Sequence, residues 1–378
     1  MTKKQFFKTQ QHPNTLIIGV QAPYQKTSTI NSYFEEFRNL VKTNGVPYEE
    51  MLTIRLREIN PVYFFTKGKL EEIKKACEQY DISHVIISDI LSPQQERNIE
   101  DFLSVEVCDR TRLILEIFEK AARSAEGKTQ VAIAMLQHRK TRLAGKGIHL
   151  EQQSGAVGTR GGFGETLKER DRRYLNSQIT KYKKQLTSMQ KVRETQRKER
   201  LGSQLPQICL VGYTNAGKST ILNTLTHSNV LAEDKLFATL DTTTRSLYID
   251  SHQKGIISDT VGFIQQLPPQ LIAAFKSTLS ELQYADLLLH VVDLSDPNFP
   301  LHIHVVNSIL VDLGLEYKQM LYIFNKKDKV ENIEQVQQQI QPYQPHVAIS
   351  AQSKNGIEPL INYLRVWQPD TSQHSHDE

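Results

Sequence analysis

Gly212-Tyr213-Thr214-Asn215-Ala216-Gly217-Lys218-Ser219 sets two glycines, an ammonium and a hydroxyl at the spacing G-x-x-x-x-G-K-[ST]. Glycine lets the backbone curl so that several N–H groups converge on phosphate oxygens at a helix N-terminus. In such a loop Lys218 reaches the β- and γ-phosphates and the Ser219 hydroxyl ligates Mg²⁺. A chance glycine turn would lack the right neighbours. Here the apolar-leaning run 207–212 predicts a buried strand entering the loop, and 219–225 predicts the helix that leaves it.

Asn325-Lys326-Lys327-Asp328 follows the apolar run 320–324, which predicts a second buried strand. A carboxylate such as Asp328 accepts two parallel hydrogen bonds from guanine N1–H and N2–H₂. Adenine lacks that donor pair and would leave the carboxylate unpaired. The expected ligands are therefore GTP and GDP. Asn325 is expected to brace the loop and touch the base. Ser350-Ala351-Gln352, after the short apolar run 347–349, would offer backbone N–H to guanine O6.

Two segments lie between these motifs. Ile256-Ile257-Ser258 runs into Asp259-Thr260-Val261-Gly262, where Asp259 would hold Mg²⁺ through water and the Gly262 N–H would meet the γ-phosphate. Lys218 and Gly262 are thus the residues expected nearest the chemistry. Phe237-Ala238-Thr239-Leu240-Asp241, followed by Thr242, Thr243 and Thr244, is the expected first switch. One threonine should complete the Mg²⁺ shell, and spacing alone does not choose among them. The residue after D-x-x-G is a water-positioning glutamine in Ras-like enzymes. Here it is Phe263, whose ring cannot orient water, so slow intrinsic hydrolysis is expected. Gln265 and Gln266 follow, but nothing in the sequence aims them at the site.

The elements that must carry these residues follow from periodicity. In the first part of the chain, 16–20, 84–88 and 105–107 read as strands and 30–41 and 69–80 as helices. A further helix starts at Pro93 with Ser92 as its N-cap. Alternating strands and helices imply a parallel sheet. Further on, Leu175, Ile179, Tyr182, Leu186 and Met189 step by four and three, the apolar seam of a long helix. Residues 168–200 hold twelve Lys/Arg against four Asp/Glu, a net of +8 in a chain whose total is +4. Such a concentration points to RNA phosphates as partner. Upstream, 130–143 reads as a partner helix with Val131, Met135, Leu136 and Leu143 inward. Between the two helices, 144–164 carries seven glycines with Lys146 and Arg160, a basic tip suited to an RNA surface. A closing helix is expected over 357–366, with a polar, disordered tail after it.

The chain has 378 residues, 39% of them hydrophobic and 23% charged, as in a folded globular protein of two or three domains. No apolar run approaches the ~20 residues of a membrane span. The three cysteines, Cys77, Cys108 and Cys209, are isolated, which fits a reducing interior.

The four segments G-Y-T-N-A-G-K-S, F-A-T-L-D, D-T-V-G-F and N-K-K-D, in this order, resemble the translation-factor-related GTPases and, within them, the HflX family of bacterial ribosome-associated GTPases. Upstream, Asp109–Phe118, Ser124–Lys128, Gly158–Thr166 and Asp171-Arg172-Arg173 are similar to that family's N-terminal part. The chain departs from the family pattern at Phe163 and Thr242, which stand where proline is usual, at Arg170 in place of threonine, and at Thr66 in place of glycine. The resemblance implies that Thr239 completes the Mg²⁺ shell, and that the glycine-rich tip inserts toward the peptidyl-transferase centre of the large ribosomal subunit. The expected fold is α/β: a P-loop GTPase domain with a mixed, mostly parallel sheet over 205–368, preceded by a small α/β domain over 1–120 and a basic helical hairpin over 121–200, with a tail over 369–378. The expected function is a GTPase that binds the large subunit and its rRNA and splits stalled or idle 70S ribosomes, hydrolysis being stimulated by the ribosome. The alternative is a GTP-regulated, RNA-binding assembly factor without splitting activity. A monomer is expected, in the cytoplasm, with peripheral association at the membrane also allowed.

Overall fold

Leu16, Ile17, Ile18 and Val20 are apolar without alternation, the pattern of a strand covered on both faces. In the computed structural model they form β1 (Thr15–Gln21), whose side chains are buried up to the last residue. The structure describes residues 14–25, 27–48, 50–143, 167–201, 205–226, 236–237, 239, 242–268, 271, 280–352 and 354–369. Ala238, Leu240, Asp241, the glycine-rich tip 144–164 and the tail beyond residue 369 lie outside them.

Around β1 stand β2 (Glu50–Arg55), β3 (His84–Ile87) and β4 (Glu106–Cys108), in the order β2-β1-β3-β4, all parallel. The edge strand β2 adds to the strands expected. Its sequence, Glu-Met-Leu-Thr-Ile-Arg, has only Ile54 fully buried, so it carries a weak apolar signal. α1 (Ile30–Asn44) buries Tyr33, Phe34, Phe37, Leu40 and Val41, as its spacing predicts, and ends on Gly45 in the left-handed conformation. α2 (Lys67–Gln79) and α3 (Pro93–Leu103) follow. Ser92 caps α3 in a reciprocal capping box with Gln95.

Three helices come next: α4 (Arg110–Ala121), α5 (Ala125–Leu143) and α6 (Leu167–Leu201). Two compact units emerge from the chain. One comprises 1–117 with 138–174, the other 118–137 with 175–378, so each of these helices runs from one unit to the other. Within the first unit, the last turn of α5 is held by charge. The Arg142 guanidinium donates to Glu96 (2.6 Å), to the buried Asp109 (2.9 Å) and to the Leu91 carbonyl (3.1 Å). Burial pushes both carboxyls up, and Arg142 opposes it.

On α6, Leu175 and Ile179 are buried and Tyr182, Leu186 and Met189 half-buried, while the positions between them are mostly exposed. The predicted stripe is therefore the one that packs. α5 differs from expectation. Val131 is buried, but so are Ile133 and Ala134, so the helix is covered on more than one face rather than along a single seam.

The second unit is built on a six-stranded sheet of order β10-β9-β8-β5-β7-β6. β5 (Gln207–Gly212) pairs in parallel with β7 (His252–Asp259) and β8 (Leu287–Asp293). β9 (Met320–Asn325) and β10 (His346–Ala348) continue in parallel beyond β8. β6 (Thr243–Ile249) is antiparallel to β7. The sheet is thus mixed and mostly parallel. α7 (Lys218–Thr226), α8 (Phe299–Asp312), α9 (Ile333–Ile340) and α10 (Glu358–Val366) complete the unit. β6, β8, α8 and α9 add to the elements expected. Gly212, Asp259, Asp293 and Asn325 end four neighbouring parallel strands, the edge where open α/β sheets place their ligands. Among the described residues, no helix is long and apolar enough to cross a membrane.

Candidate nucleotide site

Close packing dictates the glycines of the loop. Gly212 has φ +149°, and a Cβ there would lie 2.2 Å from the Val291 carbonyl oxygen. Gly217 has φ +99°, and a Cβ there would lie 2.2 Å from Asn325 Nδ2. Any side chain would push the loop off β8 or off Asn325. Asn215 takes φ +62°, a left-handed conformation that asparagine tolerates better than most residues. The turn delivers Lys218 and Ser219 to the first turn of α7, where backbone N–H groups lack partners within the helix.

Asn325 is the joint of the site. Its Nδ2 donates to Ala216 O (2.9 Å) and its Oδ1 accepts from Ala351 N (3.0 Å). One buried amide thereby ties the phosphate loop to the Ser350-Ala351-Gln352 turn. Of the three amides expected to face guanine O6, two already have partners: Ala351 N on Asn325, and Ser350 N on Gly356 O (3.0 Å). Lys327 N donates to Ile349 O (3.1 Å), which sets the N-K-K-D turn against the residue that follows β10. Lys326, at φ +62°, donates to Asp293 (2.6 Å), a residue that sequence reasoning missed. Its signal was available: an acid at the end of an apolar run. Asp328 stands exposed, and a hydrogen bond from the Ser350 hydroxyl, with Lys329 and Lys326 nearby, holds its carboxyl below the ordinary range.

Ser219 Oγ donates to Asp259 Oδ2 (2.6 Å) and lies 2.7 Å from Thr239 Oγ1. Of the threonines left open by spacing, Thr239 is the one that meets Ser219. Thr243 and Thr244 belong to β6, where Thr244 Oγ1 lies 3.0 Å from Ser258 Oγ. Asp259 is fully buried, and its Oδ1 has no hydrogen-bond partner. Burial pushes its carboxyl up, opposed by the Lys218 charge and by bonds from the Ser219 and Thr239 hydroxyls. Two hydroxyls converging beside a carboxylate with an unused buried oxygen form a hard, all-oxygen donor set that fits Mg²⁺.

Lys218 is buried and donates to Gly212 O (3.1 Å) and Tyr213 O (2.8 Å). Loss of hydration lowers its pKa to about 8, opposed by Asp259. His290, on β8, is also buried; desolvation, helped by the Lys218 charge, lowers its pKa to about 3.

The segment after Asp259 lies on the phosphate loop. Thr260 Oγ1 donates to Leu210 O (2.7 Å), Phe263 N to Gly212 O (3.1 Å) and Thr214 N to Phe263 O (2.8 Å). Val261, Phe263 and Ile264 are buried. Phe237, expected in the first switch, is buried against the Phe118 ring, with centroids 4.5 Å apart.

Residues 31–119 match the family model described as GTP-binding GTPase N-terminal, and 121–200 match GTP-binding GTPase Middle Region. Residues 207–326 match the model described as 50S ribosome-binding GTPase. The GTPase HflX of Magnetococcus marinus is 42% identical over 359 residues, which cover 95% of this chain and 83% of that protein. The chain belongs to the HflX family of GTPases. The GTPase HflX of Escherichia coli is 42% identical over 87% of this chain and 78% of its own. A GTP-binding protein of Sulfolobus solfataricus, solved with GDP, is 26% identical over 93% of this chain and 99% of that chain, with a TM-score of 0.47. As a member of the HflX family with a P-loop GTPase fold, the protein is a GTP hydrolase.

Proposed function

We propose that the protein binds the large ribosomal subunit through its rRNA and uses GTP to split stalled or idle 70S ribosomes. The observation that carries this reading is α6. Its apolar stripe is turned inward, while Arg170, Arg172, Arg173, Lys181, Lys183, Lys184 and Lys191 stand exposed. A solvent-facing basic helix of this length matches a polyphosphate backbone. The likeness of residues 207–326 to a 50S ribosome-binding GTPase supports the same partner.

In this reading the phosphate loop from Gly212 to Ser219 cradles the nucleotide phosphates and Asp328 selects guanine, with Asn325 behind it. Ser219 and Thr239 ligate Mg²⁺, with Asp259 behind a water; the ion would neutralise charge on the β- and γ-phosphates. Gly262 offers its amide to the γ-phosphate. Phe263, 2% exposed, offers neither donor nor acceptor to water, so intrinsic hydrolysis is slow and the ribosome completes the catalyst. The protein acts as a cytoplasmic monomer with three parts: an α/β domain (1–120), a basic hairpin (121–200) and the GTPase domain (205–368).

Sedimentation of 70S ribosomes with the protein and GTP, GDP or a nonhydrolysable GTP analogue tests this. The expected result is separation into subunits with GTP and with the analogue, but not with GDP. Binding to subunits without separation of 70S particles in any nucleotide would overturn splitting and favour an assembly factor.

A further inference from the structure

Tyr213 occupies the second position of the phosphate loop, where its backbone is already committed to loop geometry. Its side chain does something separate. The phenol oxygen accepts from Gln265 N (3.0 Å), and the ring stacks on His302 of α8 with centroids 3.9 Å apart and planes at 11°. The stack fixes where the phenol points. Together with the bonds Phe263 N→Gly212 O and Thr214 N→Phe263 O, it clasps residues 262–265 onto the loop.

This clasp lies where a third phosphate belongs. In P-loop GTPases the loop and its lysine face the β- and γ-phosphates. Here the Thr214 amide is spent on Phe263 O, and the Lys218 ammonium on two loop carbonyls. Gly262 is so close that a methyl group on it would come within 3.0 Å of Lys218 Nζ and 2.9 Å of Thr214 Cα. A phosphoryl group is larger than a methyl group and cannot stand between them. GDP ends at the β-phosphate and does not need that space; GTP does.

We propose that Tyr213 is a specificity-determining residue that favours GDP over GTP by clasping residues 262–265 over the γ-phosphate position. GTP enters only when the clasp opens, so its measured affinity is reduced by the fraction of protein in the open state. Anything that draws the chain beyond Phe263 away from the loop raises GTP affinity without touching the nucleotide. The proposal rests on the reading of 212–219 as the nucleotide loop.

The test uses the full chain with fluorescent GDP and a fluorescent nonhydrolysable GTP analogue. Tyr213→Phe keeps the ring and its stack but removes the acceptor. The ratio Kd(analogue)/Kd(GDP) should fall by about two- to tenfold, the worth of one hydrogen bond. Gln265→Pro removes the donor and leaves the phenol, and should shift the ratio the same way. Both variants remove the bond from Gln265 N to Tyr213, so the double variant should move the ratio by less than the sum of the two single changes. In the wild type, hydrogen exchange across 260–268 should be slower with GDP than with the analogue. A ratio unchanged in both single variants, or equal exchange with both nucleotides, overturns the clasp. Wild-type protein that binds neither nucleotide overturns the nucleotide site itself, a different outcome from one in which both bind and the ratio does not move.

Discussion

Replacing Asn325 by alanine separates two loops that the chain brings together from distant positions. The side chain is 2% exposed and makes two bonds of ordinary length, to Ala216 O and from Ala351 N. The substitution orphans a buried acceptor and a buried donor. Each loss costs about 1–3 kcal/mol, and about 1.5 kcal/mol apiece gives about 3 kcal/mol in all. At about 1.4 kcal/mol per decade, GDP affinity should fall by at most about 150-fold, the limit in which binding carries the whole loss. Part of the same loss should appear as reduced unfolding free energy of the GTPase unit, since the brace belongs to the folded protein. Titration with fluorescent GDP and denaturant unfolding followed by circular dichroism measure both. Asn325→Asp should be no better than alanine, because it sets a carboxylate against the Ala216 carbonyl. Asp328→Ala is the contrast: that side chain is exposed, so binding should weaken while stability stays within about 0.5 kcal/mol of the wild type. A GDP Kd within threefold of wild type for Asn325→Ala would refute the brace.

Three further outcomes follow from buried charge. Lys218 has a pKa near 8 and must be charged to meet phosphate. GDP affinity should therefore change little below pH 7.5 and fall about fivefold from pH 8 to 9, with proton uptake seen by calorimetry in two buffers; a constant Kd across that range contradicts it. His290 is neutral in the native state, with its pKa lowered to about 3, while the unfolded chain gains a proton below about 6.5. Its contribution is complete above pH 6.5 and lost as pH falls toward 3. The gap between unfolding free energies at pH 7.5 and pH 5 should shrink by about 2 kcal/mol in His290→Leu. Arg142→Met leaves Glu96 and Asp109 without their guanidinium and should destabilise the N-terminal unit by about 3–5 kcal/mol at pH 7. Both carboxyls are already pushed up by burial, so the deficit should narrow on acidification as they take up protons; a deficit that widens toward pH 5 in thermal unfolding would show that the pair is not what Arg142 holds.

Residue order alone was enough for the features whose cause is local. The run 207–212 is buried on every residue but the first, as a strand entering a phosphate loop must be, and Gly212 and Gly217 stand where φ is positive. Ser92 and Gln95 cap a helix because they are three residues apart. The stripe on α6 follows from a period of 3.6 residues. The strand β6 was harder to read: Thr-Thr-Arg-Ser-Leu-Tyr-Ile has only Leu247 and Ile249 buried, and it is a strand because β7 lies beside it.

What the tertiary structure decided are contacts between residues far apart in the chain. Spacing left four threonines open and the family resemblance pointed to Thr239; only the fold brings its hydroxyl to 2.7 Å from that of Ser219. Asn325 carried a motif's signature, but its role as the joint between Ala216 and Ala351 exists only once β5, β9 and β10 share a sheet. Tyr213 was one variable position of a loop motif. Its stack on His302 and its bond from Gln265 depend on α8 and on the segment after β7. Local conformation is set by neighbours within a turn or two, which a linear pattern records. A hydrogen bond across the sheet's edge depends on which strands are adjacent, and one strand's residues do not encode that alone.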